Sequence, residues 1–232
     1  MSVKQTYINI SRRKVTRFSS AISQWGESNL RNFPWRKKSA SNYQKIMTEV
    51  LLQRTKAQTV NNIYESFFST FPSWKALSRA RKSRIEKVLM PIGLYKRRAN
   101  SIKELAVVLA KSNGRFPRTR EEIDKLPGVG QYIGNAVELF VFSRPLALLD
   151  VNMARLVERY FGPRKLADIR YDPYLQNLSS KIIRSADDPA WLNWVILDFG
   201  SMVCTAKSPK CDKCPVSKSC NYLKLVRAKQ DV

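Results

Sequence analysis

From residue 29 to residue 144 one helix-period pattern follows another, separated by short breaks that carry Pro or Gly. No stretch there alternates as a half-buried strand must, and the succession leaves no room for a sheet. The fold class this predicts is all-α. A helix over Thr16–Asn29 carries Phe18, Ile22 and Trp25 at helical spacing, a stripe suited to a core. Phe33-Pro34-Trp35-Arg36 breaks the pattern, and a polar loop covers Lys37 to Ser41. A long helix then begins near Asn42 and runs through NYQKIMTEVLLQRTKAQTV, burying Ile46, Met47, Val50 and Leu51, then Ala57 and Val60. Further helices are expected over 60–70, 73–79, 81–89 and 95–111. Beyond Phe161 come a loop to Asp172-Pro173, a helix to about Ser185, another from Ala190 to Val203, and a short basic tail.

The stretch from Phe116 to Phe161 carries the chemistry. In Leu126-Pro127-Gly128-Val129-Gly130 the glycines permit a tight turn and leave backbone amides uncovered. A helix opening at Gln131 would aim those amides and its dipole at one spot, which suits a phosphate. A plain turn between packed helices uses the same residues. Asp150 follows the apolar run Leu146 to Leu149 and precedes a helix marked by Met153, Leu156, Val157, Tyr160 and Phe161, so it sits at an N-cap. Such a carboxylate, held by helix N–H groups, is expected to stay ionised.

Composition narrows the partners. Lys plus Arg is 42 against 18 Asp plus Glu, a formal charge of +24 spread along the whole chain, which implies a polyanion, nucleic acid first. Displacing counterions from phosphates would make that affinity steeply salt-dependent. No segment is apolar for long enough to span a bilayer and the first residues lack a signal-peptide core, so an intracellular, cytoplasmic protein with no membrane partner is expected. Histidine is absent, which excludes a Ser-His-Asp triad, a Cys-His pair and any histidine-ligated metal.

Cys204, Cys211, Cys214 and Cys220 are the only cysteines and follow C-x6-C-x2-C-x5-C, close enough to surround one metal centre. Structural zinc usually shows two C-x2-C pairs, and here there is one; a [4Fe–4S] cluster also takes four thiolates, so the spacing leans toward it without deciding. Lys207, Lys210, Lys213 and Lys218 share the loop and would suit a DNA backbone.

With these residues in view, the chain resembles the helix-hairpin-helix DNA glycosylases of the endonuclease III and MutY type. It is most similar to their thymine–guanine mismatch branch. Four anchors carry the likeness in order: TEVLLQRT (48–55), LPGVGQYIGNAV (126–137), LLDVNMARLVERYFG (148–162) and the cysteine cluster. The resemblance implies two helical domains. One is a six-helix barrel over 29–144 with its helix-hairpin-helix at about 118–142. The other combines 1–28 with 145–232 and holds a [4Fe–4S] cluster in the 204–220 loop. It implies base excision from double-stranded DNA containing a mismatched or damaged base, by a nucleoid-associated monomer.

Base release passes through an oxocarbenium-like sugar, which needs a nearby negative charge, an activated water and a neutralised leaving base. The resemblance implies the first two roles for Asp150. It places Glu49 on the flipped base, although helical spacing alone makes Glu49 a surface residue paired with Lys45. Tyr132 stands where the bifunctional branch has a lysine nucleophile, which implies a monofunctional enzyme using water. Gln53 and Arg54 fall where the orphaned guanine or the opened duplex is contacted. MutY has Gln-Gln there and the mismatch branch Arg-Arg, so partner-base selectivity does not follow from the likeness. Tyr95 falls at an intercalating position, and Leu126, Gly128, Val129, Gly130 and Gln131 at the hairpin's phosphate contact. The expected substrate is thymine or uracil opposite guanine. Adenine excision opposite guanine or 8-oxoguanine is the alternative; against it, a chain ending 12 residues after Cys220 lacks the C-terminal lesion-reading domain of MutY enzymes. The other alternative is a non-catalytic iron–sulfur DNA-binding protein.

Overall fold

The computed structural model describes residues 10–228. Within them the regular elements are α1 (Arg12–Asn29), α2 (Asn42–Leu52), α3 (Ala57–Thr70), α4 (Trp74–Arg79), α5 (Lys82–Leu89), α6 (Tyr95–Lys111), α7 (Arg120–Asp124), α8 (Gln131–Phe142), α9 (Val151–Phe161), α10 (Pro173–Arg184), α11 (Pro189–Met202) and α12 (Asn221–Ala228), with four short 3-10 turns. No strand occurs among the described residues. The chain divides into two compact units, Asn32–Arg144 and a second built from the residues through Arg31 together with Pro145 onward.

Local sequence sets most boundaries. Ser11 caps α1 by accepting from Lys14 N, which starts that helix four residues before the expected Thr16. Ser41 and Gln44 form a reciprocal capping box for α2. One expectation fails here. The single helix through 42–60 is two helices, broken after Leu52 by a turn in which Arg54 adopts φ 56°. α12 also forms within what composition marked only as a basic tail.

The unit from Asn32 to Arg144 is built around aromatic side chains from α2, α3, α4 and the Phe33–Arg36 segment. Phe33 and Trp35 stack at 4.4 Å, Tyr43 and Trp74 meet edge-on at 4.8 Å, and the Tyr43 hydroxyl donates to Phe71 O at 2.7 Å. α2 packs along α8, and α6 packs against α4 and α5.

In the other unit, Phe18 and Ile22 of α1 pack with Tyr160 and Phe161 of α9, Ile182 of α10 and Phe199 of α11. Truncating any of these aromatics to Ala should cost about 3–5 kcal/mol. Two wholly buried polar residues of α11 pin the chain where it enters and leaves this unit. Asp198 takes the Arg31 backbone N–H at 2.9 Å and its guanidinium at 2.6 Å. Asn193 accepts from Leu148 N at 2.7 Å and donates to Leu146 O at 3.0 Å. The second clamp fixes the extended segment that leads into Asp150.

Candidate functional site

In the Asn32–Arg144 unit, packing of α2 on α8 brings two of the expected residues together. The Tyr132 hydroxyl donates to Glu49 Oε2 at 3.0 Å. Glu49 is 2% exposed, so the surface position implied by helical spacing is overturned. The wheel of α2 misleads because nearly every side of its second half is covered, Thr48 and Glu49 included. A buried carboxylate needs a polar partner, and Tyr132 supplies one from a residue 83 positions away.

The hairpin between α7 and α8 turns at Gly128, whose φ of 71° favours glycine, and a Cβ there would also collide with the Ser101 hydroxyl. Val129 N bonds back to Leu126 O at 3.1 Å, and Gly130 begins α8 with no side-chain cap. Leu126 and Val129 bury their side chains, so only their backbone could meet a ligand, whereas Gly128 and Gly130 are exposed and Gln131 half-exposed. Gln53 and Arg54 lie exposed in the turn after α2. Tyr95 and its neighbour Leu94 differ in exposure. Tyr95 is half-buried at the start of α6, while Leu94, at φ 50° and 62% exposed, forms the tip. Holding a bulky residue in that left-handed conformation costs about 1–2 kcal/mol, and backbone strain of this kind gathers at functional positions. The sequence mark of this turn is Pro91-Ile92-Gly93 directly before Leu94.

In the other unit Asp150 caps α9. Its Oδ1 accepts from Asn152 N at 2.9 Å and Met153 N at 2.8 Å, and its Oδ2 from Asn152 Nδ2 at 2.7 Å. Burial raises its carboxyl pKa above the ordinary 3.8; these bonds and the Arg155 charge oppose the rise without cancelling it. Burial and the cap thus act in opposite directions on this acid, with burial the larger. Asn152 Oδ1 in turn accepts from Arg155 Nη2 at 2.9 Å, and Arg155 Nε donates to Cys204 O at 2.9 Å. A continuous chain of bonds thus joins the Asp150 carboxylate to the cysteine loop. Gly200 makes room for it, since a Cβ there would lie 3.0 Å from Asn152 Cβ.

Cys204, Cys211, Cys214 and Cys220 are free thiols that line one pocket, shared with Leu156, Tyr160 and Val203. Among the described residues no three acidic or thiol side chains converge as ligands of a single ion. One zinc draws its sulfurs to about 2.3 Å of a point, whereas a four-iron cluster is itself a body that keeps them apart. Four thiols around one pocket are a donor set that fits the cluster. Arg159 closes one side, donating to Thr205 O at 2.6 Å, Ala206 O at 2.8 Å and Cys204 Sγ at 3.5 Å. Burial, with the neighbouring sulfurs, pushes the Cys214 thiol up to about 11, so loading a metal must displace its proton. Lys207, Lys210, Lys213 and Lys218 all point to solvent around this loop.

Residues 47–188 match the model of the HhH-GPD superfamily base excision DNA repair proteins. The chain belongs to that superfamily. Residues 204–220 match the iron–sulfur binding domain of endonuclease III, so the four cysteines form an iron–sulfur motif. Among HhH-GPD relatives, the chain is 37% identical to a thymine/uracil-DNA glycosylase of Methanothermobacter thermautotrophicus, over 91% of this chain and 94% of that one. It superposes on a thermostable thymine-DNA glycosylase with a TM-score of 0.82 and 34% identity, covering 92% of this chain and 98% of that structure. A non-covalent endonuclease III–DNA complex shares the fold at a TM-score of 0.75 and 22% identity, over 94% and 99% of the two chains. The all-helical class is the class of these HhH-GPD structures. No helix among the described residues is long and apolar enough to cross a membrane.

Proposed function

We propose that the chain is a monofunctional DNA glycosylase that flips thymine or uracil out of a mispair with guanine and hydrolyses its N-glycosidic bond. The observation that carries this is the Tyr132–Glu49 hydrogen bond at 3.0 Å. The bond holds a buried carboxylate ready for the base, and Tyr132, which by resemblance stands where bifunctional relatives carry the lyase nucleophile, is a phenol that cannot form a Schiff base. The names of the relatives at 34–37% identity support the same substrate. The charge of +24 supports a role on double-stranded DNA, and the reading includes a monomer acting at the nucleoid.

Asp150 then provides the negative charge beside the oxocarbenium-like sugar and, through Oδ2, takes a proton from the attacking water. Asn152 fixes the rotamer of that carboxylate. Glu49, oriented by Tyr132, donates or polarises a hydrogen bond to the departing base. Gln53, Arg54 and Leu94 meet the opened duplex, and the hairpin from Leu126 to Gln131 holds a phosphate through its backbone. When bound, the iron–sulfur cluster supplies structure, ordering the lysine-bearing loop; the residues that hold it are the four cysteines.

Single-turnover excision on duplexes holding T·G, U·G, A·G or A·8-oxoguanine, each with and without alkali, tests this. T·G and U·G strands that break only after alkali are expected. Relatives that include human adenine DNA glycosylase, at 27% identity, make adenine release the competing outcome. Strand breaks without alkali would refute the monofunctional part. Tyr132→Phe removes the donor to Glu49 and should slow excision about tenfold, the worth of a hydrogen bond to a charged group, with alkali dependence unchanged. An unaltered rate would mean that Glu49 is oriented by other contacts.

A further inference from the structure

Arg98 takes no part in the chemistry above, yet its guanidinium joins two separate turns. Nε donates to Gly93 O at 3.1 Å, and Nη1 reaches Leu51 O at 3.4 Å. Nη2 donates to Gln53 O at 2.6 Å and to Thr55 Oγ1 at 2.7 Å. Both turns bend through a non-glycine residue at positive φ, Arg54 at 56° and Leu94 at 50°. Each carries that residue as an exposed tip. Conformations of this kind persist only where the surroundings over-determine them. The group that bonds both turns, beyond local closures such as Thr55 N to Leu52 O at 3.0 Å and Gly93 N to Met90 O at 3.3 Å, is the same side chain.

We propose that Arg98 is a positioning residue that clamps the Gln53–Thr55 turn and the Gly93–Leu94 turn into one rigid wedge, so that Arg54 and Leu94 enter the duplex as a unit when the base is expelled. The proposal rests on the glycosylase function argued above and assigns Arg98 to duplex opening, the step before bond cleavage. Its chemistry suits the task. A planar fork of five donors reaches acceptors on two turns at once, while a lysine ammonium is a point donor that reaches one. If the turns moved independently, each strained tip would relax toward an ordinary conformation, and the cost of unstacking would fall on one insertion at a time. A base that is already unpaired would not feel the loss.

The test compares wild type with Arg98→Ala, Arg98→Lys and Thr55→Val. Single-turnover excision is measured for uracil opposite guanine and for uracil inside an unpaired bubble. Opening is read separately from the fluorescence of 2-aminopurine placed beside the mismatch, with melting and iron content as controls. Both Arg98 substitutions should slow duplex excision at least tenfold and cut the fluorescence rise by about half, with bubble excision changed less than about threefold. Thr55→Val removes one acceptor and should give about a threefold loss in duplex excision, with no further loss in the Arg98→Ala background. Equal losses on duplex and bubble, full rescue by lysine, or an additive double variant would each overturn the clamp. Should the Arg98 variants melt below the assay temperature, Thr55→Val decides: an unchanged fluorescence rise defeats the proposal. If wild type excises neither thymine nor uracil, the proposed function fails, while the fluorescence comparison still judges the clamp.

Discussion

Asp150→Asn should lower the single-turnover excision rate about 10³-fold, the scale of losing a principal electrostatic stabiliser, while duplex affinity stays within about threefold. The substitution keeps the shape of the cap, because an amide oxygen can still accept from Asn152 N and Met153 N as Oδ1 does at 2.9 and 2.8 Å. It removes the charge and the proton acceptor. It also turns an amide donor toward Asn152 Nδ2, which now gives Oδ2 a 2.7 Å bond. Asn152 could accept instead only by turning its oxygen away from Arg155. Stability should move little, for a reason with a definite sign. Burial lifts the Asp150 carboxyl above 3.8, so between the unfolded value and the raised one the folded chain binds more protons than the unfolded chain. The carboxylate's contribution to stability is lost as pH rises through that window. At neutral pH the asparagine escapes that penalty, which offsets the broken bond to Asn152, and the melting temperature should stay within a few degrees. The same shift sets the pH profile. Wild-type excision should fall on the acid side along a limb above pH 3.8, and the residual activity of the asparagine variant should lack that limb. Excision by Asp150→Asn at the wild-type rate would reduce Asp150 to a helix cap and hand its catalytic roles to other residues.

What the sequence revealed was what local physics decides. The cap at Asp150 needs only an apolar run, an acid and a helix in succession, and the structure has it. The α6 span, Tyr95–Lys111, was legible because Pro91 and Gly93 punctuate the chain before it. The break between α2 and α3 was not legible, since Gln53-Arg54-Thr55 contains no residue that resists a helix; the turn is held by Arg98 from 45 positions away. Glu49 was misplaced for a related cause. A helical wheel counts one helix, and the side that seemed to face water is covered when α8 packs on α2. For Asp150 the cap was legible and the burial was not, because the capping groups are neighbours in sequence and the burial comes from the fold. That Leu94 rather than Tyr95 is the exposed residue of its turn was not legible either, because exposure is not written in residue type.

Cys214→Ala should have the other large effect, losing protein-bound iron and sulfide together with the order of the whole cysteine loop. The 17 residues from Cys204 to Cys220 bury one apolar side chain among themselves, Val216 at 5% exposure. Fixing a backbone costs roughly 1 kcal/mol per residue or more, against about 2 kcal/mol from one buried valine. The hydrogen bonds of the loop are mostly short-range turns, such as Lys213 N to Lys210 O at 3.1 Å and Cys220 N to Ser217 O at 3.1 Å. Metal–thiolate bonding must therefore supply most of what holds the loop in place. Its loss should travel further than the loop. Arg159 and Arg155 are seated on the carbonyls of Thr205, Ala206 and Cys204, and Arg155 also holds the Asn152 side chain that donates to Asp150. With those carbonyls mobile, Arg159 loses its fixed backbone acceptors and Arg155 is held only by Gly200 O and Asn152, so excision should fall by about tenfold or more through positioning alone. Limited proteolysis would show new cleavage within 204–220 before the Asn32–Arg144 unit is touched, because that unit has its own aromatic core. Lys213→Gln, in the same loop but with a side chain in solvent, should keep iron, protease resistance and the excision rate of bound substrate, and weaken only DNA binding, more so at low salt. An iron-free Cys214→Ala protein that still resisted protease would show that side-chain packing alone orders the loop, and the path from Cys204 to Asp150 would then not depend on the cluster.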